Sequence, residues 1–288
     1  MQTKQLKWTL LIVLSLIWGS SFILIKKGLI GLSPYQLGAL RIIFTAVFLL
    51  LIGFRSLTDI KHFQWKYIVI TALFGTFIPA FLFAIAETKV SSSICSILNS
   101  LTPLNTLLIG IAAFGMGFKR SQFIGVLIGL IGTAILIFNG KAESTNDSNY
   151  YAVLVIIASI CYAINVNLIK KYLSDVRALS ISTGNFTVML IPAFIILCCT
   201  NFFQIVPLQT TQHSMLFILV LGILGTGIAN ILFFKLIQMS SPVFASSVTY
   251  LIPIIAFFWG LLDHEMLTPF QFFGAFIILV GVYLANKK

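Results

Sequence analysis

Charge is what this sequence lacks. Of its 288 residues only 9% are Asp, Glu, Lys or Arg, and just 7 are acids against 18 bases. Soluble domains carry roughly 25% charged residues. A globule of this length could not hide a hydrophobic content of 59%, 27 phenylalanines included, from water. The composition therefore excludes a soluble domain, and disordered, collagen-like and coiled-coil chains with it.

Cysteine is scarce too. Cys95, Cys161, Cys198 and Cys199 all lie within apolar runs and lack any Cys-x-x-Cys spacing, so neither a metal site nor a disulfide framework is expected. His62, His213 and His264 are scattered through loops and their margins. Without a His-paired nucleophile, a carboxylate pair or a phosphate-cradling loop ending in Lys-Ser/Thr, the expectation is a non-enzyme with no metal, no cofactor and no ATP drive.

What is present is long apolar runs. A span needs about 20 residues to cross roughly 30 Å of hydrocarbon. Ten segments qualify: Trp8 to Ile25, Tyr35 to Gly53, Lys66 to Ala86, Ser91 to Phe114, Phe123 to Asn139, Tyr151 to Ile169, Leu179 to Cys199, Met215 to Ile237, Pro242 to Leu262 and Phe270 to Asn286. The runs are too long and too continuous for barrel strands. The expected fold is an all-α polytopic membrane protein of ten transmembrane helices. Lys4 and Lys7 before the first run imitate a signal peptide, but no small-x-small cleavage site follows, so it is read as a retained helix.

With the N-terminus inside, thirteen of the 18 basic residues fall in the inner set and five, Lys26, Lys27, Arg41, Lys89 and Lys141, in the outer. Basic residues are held on the cytoplasmic side, so both termini are expected in the cytoplasm. The formal charge of +11 then reads as a topology signal and a contact with anionic lipid headgroups, and a nucleic-acid partner is not expected.

The chain is also written twice. Ser15-Leu-Ile-Trp18 through Ile25-Lys26-Lys27 aligns with Ser159-Ile-Cys-Tyr162 through Ile169-Lys170-Lys171 at an offset of 144. Leu73-Phe-Gly75-Thr76 through Leu82-Phe83 aligns with Ile223-Leu-Gly225-Thr226 through Leu232-Phe233 at 150, and Pro103 with Pro253 at the same offset. This divides the chain into repeats at 1–144 and 145–288. Each holds five spans, and an odd number means that the second repeat crosses the membrane in the opposite sense. Inverted repeats of this kind are typical of secondary transporters working by alternating access around a midplane site.

The run Ile17-Trp18-Gly19-Ser20-Ser21-Phe22, Lys26, Ser33-Pro34, Arg41, Leu101-Thr102-Pro103-Leu104 and the closing pairs Gly125/Gly132 and Gly274/Gly281 resemble the EamA-type transporters of the drug/metabolite transporter superfamily. Asp263-His264-Glu265-Met-Leu-Thr268-Pro269-Phe-Gln271 is similar to that family's Glu-x-x-Thr-x-x-Gln element. The first repeat departs from it, since Gly115-Met-Gly117-Phe-Lys119-Arg120 contains no Glu. The resemblance implies an inner-membrane exporter of small metabolites, such as amino acids or related compounds.

Polar residues inside spans are costly, so their helical faces point to a translocation path. Ser92, Ser96, Asn99, Pro103 and Thr106 form one stripe of the fourth span, and Pro242, Ser246, Thr249 and Pro253 one stripe of the ninth. Pro103 and Pro253 each remove a backbone donor and are expected to kink their helices, orphaning the carbonyl a turn earlier. Trp18 with Ser21 on the first span, and Tyr162 with Asn165 on the sixth, add an aromatic and a polar group at equivalent positions. Asn185 and Asn230 complete the candidates. Arg41 is expected at the outer mouth, and Glu87 and Lys89 at the interface. With no acid expected near the midplane, transport is predicted not to depend on a carboxylate relay there. The alternatives that stay open are a facilitative channel or uniporter and a non-transport membrane-embedded enzyme.

Overall fold

The computed structural model describes residues 2–117, 119–138, 146–262, 273–274, 276–277, 280–281 and 283–284. Its described residues are all-helical, with no strand among them. The helices are α1 (Gln2–Gly28), α2 (Pro34–Gly53), α3 (His62–Ala86), α4 (Ser92–Phe114), α5 (Arg120–Phe138), α6 (Asn146–Tyr172), α7 (Ala178–Cys198), α8 (Gln209–Met239) and α9 (Pro242–Leu262). Eight of them contain a stretch long and apolar enough to cross a membrane, and α5 is a further apolar helix. Of the expected tenth span, the eight described residues are helical; the rest of it, the 144/145 repeat boundary and the Glu265 element lie outside the described residues.

The surface is the inverse of a soluble protein's. Leu51 and Ile191 are 81% and 69% exposed, while Asn167, Asn185, Ser182 and Thr183 are fully buried. Lipid solvates the apolar exterior, and buried polar groups bond across helices instead. Asn105 donates to Ser159 Oγ at 2.8 Å, and Asn167 to the Thr106 carbonyl at 3.0 Å, joining α4 to α6.

Local sequence explains where helices begin and where they break. Ser33 and Gln36 form a reciprocal capping box with Pro34 in the first turn, which starts α2. α3 and α8 each contain one π-helical stretch, Leu73–Phe77 and Leu221–Ile228, on the residues aligned at offset 150. α4 is interrupted after Asn99 and α9 after Ser246. The carbonyls orphaned by the two prolines are those of Asn99 and Thr249, and both are satisfied by hydroxyls. Thr102 Oγ1 donates to the Asn99 carbonyl at 2.7 Å, and Ser100 Oγ, reaching over from α4, to the Thr249 carbonyl at 3.0 Å. The interrupted middles of α4 and α9 are thus stitched together.

α1 packs on α8 and α9, and α6 on α3 and α4, while α2 packs on α7. Gly281 packs against α5 so closely that a Cβ there would lie 2.5 Å from the Gly129 nitrogen. One face of the bundle carries the α2–α3 and α6–α7 loops, joined by Lys61–Asp175 at 3.4 Å and Arg177–Asp59 at 3.5 Å. The end of α6 lies there too, with Lys170 Nζ 3.2 Å from the Ile237 carbonyl and Lys171 Nζ 3.2 Å from that of Phe114. The other face brings the end of α1 to the start of α8, where the Gly31 N–H donates to Ser214 Oγ at 3.0 Å.

Candidate functional site

At the centre is a cavity of about 80 Å³. Roughly 10–15 Å³ suffices to admit one water, so it has room for several. Residues of α1, α2, α3, α4, α6, α8 and α9 wall it.

The π-helical stretches shape two of the walls. A π turn leaves carbonyls off the i→i−4 ladder and turns side chains out of register. In α8, Thr226 Oγ1 bonds back to the Leu221 carbonyl at 3.0 Å and accepts from Arg41 Nε at 2.8 Å. Trp18 Nε1 donates to the Gly225 carbonyl at 3.0 Å, and Thr45 Oγ1 lies 2.8 Å from that of Gly222, so α1 and α2 grip this stretch. In α3 the equivalent Gly75 lies against Asn165, and a Cβ there would be 2.4 Å from the Asn165 Cγ. Only glycine allows α6 that close.

Aromatic rings line both flanks in matched pairs. Trp18 meets Phe233 edge-on at 4.8 Å, and its counterpart Tyr162 stacks on Phe83 at 6.1 Å, with Phe22 edge-on to Phe83 at 5.8 Å. Two polar atoms in the lining residues, Asn165 Oδ1 and Thr76 Oγ1, are buried without a hydrogen-bond partner.

Of the residues singled out from the sequence, Trp18, Ser21, Asn99, Tyr162, Asn165, Asn230, Ser246 and Thr249 come together on this lining. Ser96, Pro103, Asn185 and Pro253 do not. Ser96 turns its hydroxyl back to the Ser93 carbonyl at 2.6 Å, and Pro103 opens the second segment of α4. Asn185 pairs with Thr71 at 3.0 Å, tying α7 to α3, and Pro253 is buried within α9. Arg41, expected at the mouth, lines the cavity itself, because it lies two turns into α2 and reaches across to Thr226.

Glu87, expected at the interface, is only half-buried as a residue, but its Oε1 is sealed off without a partner and its Oε2 accepts from Ser92 Oγ at 2.9 Å. Just past the end of α3, burial pushes this carboxyl well above its ordinary range, opposed by the Ser92 hydrogen bond and the charges of Arg41 and Lys26.

Gly75, Thr76, Thr226, Phe83 and Phe233 were missed as site residues. The signal was present in the repeat, since all five lie in the segment that aligns at offset 150. Only their facing across the cavity marks them as lining. Among the described residues no group of His, Cys, Asp or Glu is arranged to hold a metal ion.

A membrane-crossing helical bundle with a solute-sized polar and aromatic chamber at its centre has the architecture of a membrane transporter. The chain belongs to the EamA-like transporter family, whose model matches residues 6–138 and 149–287. It is 25% identical to the uncharacterised transporter YoaV of Bacillus subtilis (strain 168), over 95% of this chain and 94% of YoaV. It is 26% identical to the uncharacterised inner membrane transporter YedA of Escherichia coli (strain K12), over 96% of this chain and 89% of YedA. To a probable amino-acid metabolite efflux pump of the same strain it is 24% identical, over 96% of this chain and 93% of the pump. A solved crystal structure 16% identical in sequence shares the fold, with a TM-score of 0.73 over 99% of this chain and 96% of that one. The protein is a multi-pass membrane transporter.

Proposed function

We propose that this protein is a secondary transporter, working as an exporter of small polar metabolites such as amino acids or related compounds by alternating access, in the inner membrane with both termini cytoplasmic. The observation that carries the reading is the cavity: its walls come from α1, α3 and α4 and from their counterparts α6, α8 and α9 in the other half of the chain, with α2 in addition. The proposed architecture is two inverted five-helix repeats, 1–144 and 145–288. Three facts support it. α1 against α8 and α9 mirrors α6 against α3 and α4. The π stretches and helix interruptions fall at matched positions. The ends of α1 and α6, equivalent in sequence, lie on opposite faces of the bundle. The face with Lys61, Lys170, Lys171 and Arg177 is the cytoplasmic one by its basic residues. Export and inner-membrane placement draw on the efflux pump and YedA relatives.

In this mechanism Ser21, Asn99, Asn165, Asn230, Ser246 and Thr249 offer hydrogen bonds to a solute, and Trp18 and Tyr162 its apolar walls. The stitched middles of α4 and α9 and the π stretches are where the two halves tilt against each other. Counterflow in proteoliposomes tests this. Unlabelled solute inside must accelerate uptake of labelled solute, and Trp18→Ala and Asn99→Ala must each impair that exchange while the protein still assembles. A flux indifferent to preloading would make it a pore, and unaltered exchange in both variants would move the path elsewhere.

A further inference from the structure

The cavity walls contain one charged side chain, Arg41, and no acid among the described lining residues. Its guanidinium has five N–H donors in a fixed fork. Nε uses one on Thr226, and among the described residues no ion pair or further hydrogen bond engages the terminal nitrogens. Glu87 acts on it only through space. A charge withdrawn from water without a bonded partner is costly, so such a group is poised for an incoming anion. The two terminal N–H pairs match the geometry of a carboxylate, which they hold bidentately. The same lining offers side chains that can accept as well as donate, Asn99 from α4, Asn230 from α8 and Ser246 and Thr249 from α9.

We propose that Arg41 is the residue that anchors a carboxylate of the transported solute, while the lining groups Asn99, Asn230, Ser246 and Thr249 hydrogen-bond with a donor elsewhere on it. The solute class is then a compact carboxylate carrying a hydrogen-bond donor, an amino acid or hydroxy acid in size, with its apolar part against Trp18, Phe83 and Tyr162. The cavity has room for several waters, so the solute is compact. The Thr226 contact orients the fork without occupying it. The repeat explains why one anchor exists and not two, since Arg41 aligns at offset 144 with Asn185, which is committed to Thr71 outside the cavity.

This assignment rests on the transport reading, and the test separates the two. Proteoliposomes preloaded with a uniformly carbon-13-labelled bacterial metabolite extract are placed in the same extract unlabelled, and mass spectrometry scores which label exchanges beyond protein-free vesicles. The exchanged set is expected to consist of small carboxylates with a donor, and the primary amide of an exchanged acid is expected to compete poorly. If nothing exchanges, the transport reading fails and takes this assignment with it. If solutes without a carboxylate exchange as well, transport stands and Arg41 as anion anchor falls. For an exchanged acid, Arg41→Gln should raise KM roughly 30-fold or more, as expected when one partner of a buried charge pair is removed, with Arg41→Lys intermediate. A fall in Vmax at unchanged KM would make Arg41 a clamp between α2 and α8 and overturn the assignment. The competition between acid and amide uses wild-type protein alone, so it decides even if Arg41→Gln fails to assemble.

Discussion

The contact between α3 and α6 lends itself to a prediction whose sign is informative. An alanine in a helix interior is worth about 0.5–1 kcal/mol more than a glycine, so Gly75→Ala should stabilise the protein if Gly75 were merely a small residue in a helix. The structure says otherwise. A Cβ on Gly75 would lie 2.4, 2.5 and 2.6 Å from Asn165 Cγ, Nδ2 and Oδ1, closer than real Cβ atoms come to their neighbours. Relieving it requires the Asn165 amide to swing or the two helices to part, an overpacking cost of about 1–3 kcal/mol. The net expectation is destabilisation. All three close atoms belong to one side chain, so Asn165→Ala should remove the conflict. Because Asn165 faces the cavity and its Oδ1 has no partner, Asn165→Ala alone should change stability by only about 0.5 kcal/mol. A double-mutant cycle, read by tryptophan fluorescence during SDS unfolding in mixed micelles, should therefore show a favourable coupling of about 1–3 kcal/mol between the two substitutions. If Gly75→Ala stabilises, or if the double variant is as unstable as Gly75→Ala alone, the close approach of α3 and α6 at this point is wrong.

Two further outcomes follow from the same physics. Ser100→Ala leaves the Thr249 carbonyl, already without its helical donor because of Pro253, with no hydroxyl to accept from. A loss of about 0.6–1.7 kcal/mol in the same unfolding assay is expected, the range measured for interhelical hydrogen bonds in membranes, and an unchanged midpoint would show that the stitch between α4 and α9 is dispensable. Glu87 provides a pH signature. Its folded-state pKa is raised, chiefly by burial, so its contribution to stability is full below the unfolded-state value and is lost as pH rises through the folded one. Wild-type protein should become progressively less stable than Glu87→Gln as pH rises above the unfolded-state value toward the raised folded one. Parallel melting curves for the two across that window would count against a sealed carboxyl.

Much of the fold was legible in residue chemistry. Runs such as Tyr35 to Gly53 have to become lipid-spanning helices because no other backbone conformation satisfies its own hydrogen bonds in hydrocarbon. The polar stripes led to Asn99, Ser246 and Thr249, and the repeat to Trp18 and Tyr162, all on the cavity lining. The same pattern could not tell Asn99 from Ser96, or Asn230 from Asn185. A stripe specifies which face of a helix is polar; it leaves open whether that face meets a void or another helix's carbonyl. Ser96 and Asn185 found protein partners, while Asn165 and Thr76 were left without.

By itself, then, the sequence determined the solvent of this protein, because composition decides whether burial in water or in lipid costs less, and it determined the duplicated pattern, because offsets of 144 and 150 are properties of the string. Where Arg41 goes was decided only in three dimensions. Eight residues into α2, it could have snorkelled to headgroups; the π turn of α8 puts Thr226 within 2.8 Å and turns the guanidinium to the cavity instead. A side chain's partner across helices depends on packing distances of a few ångströms, and those are fixed when the helices meet.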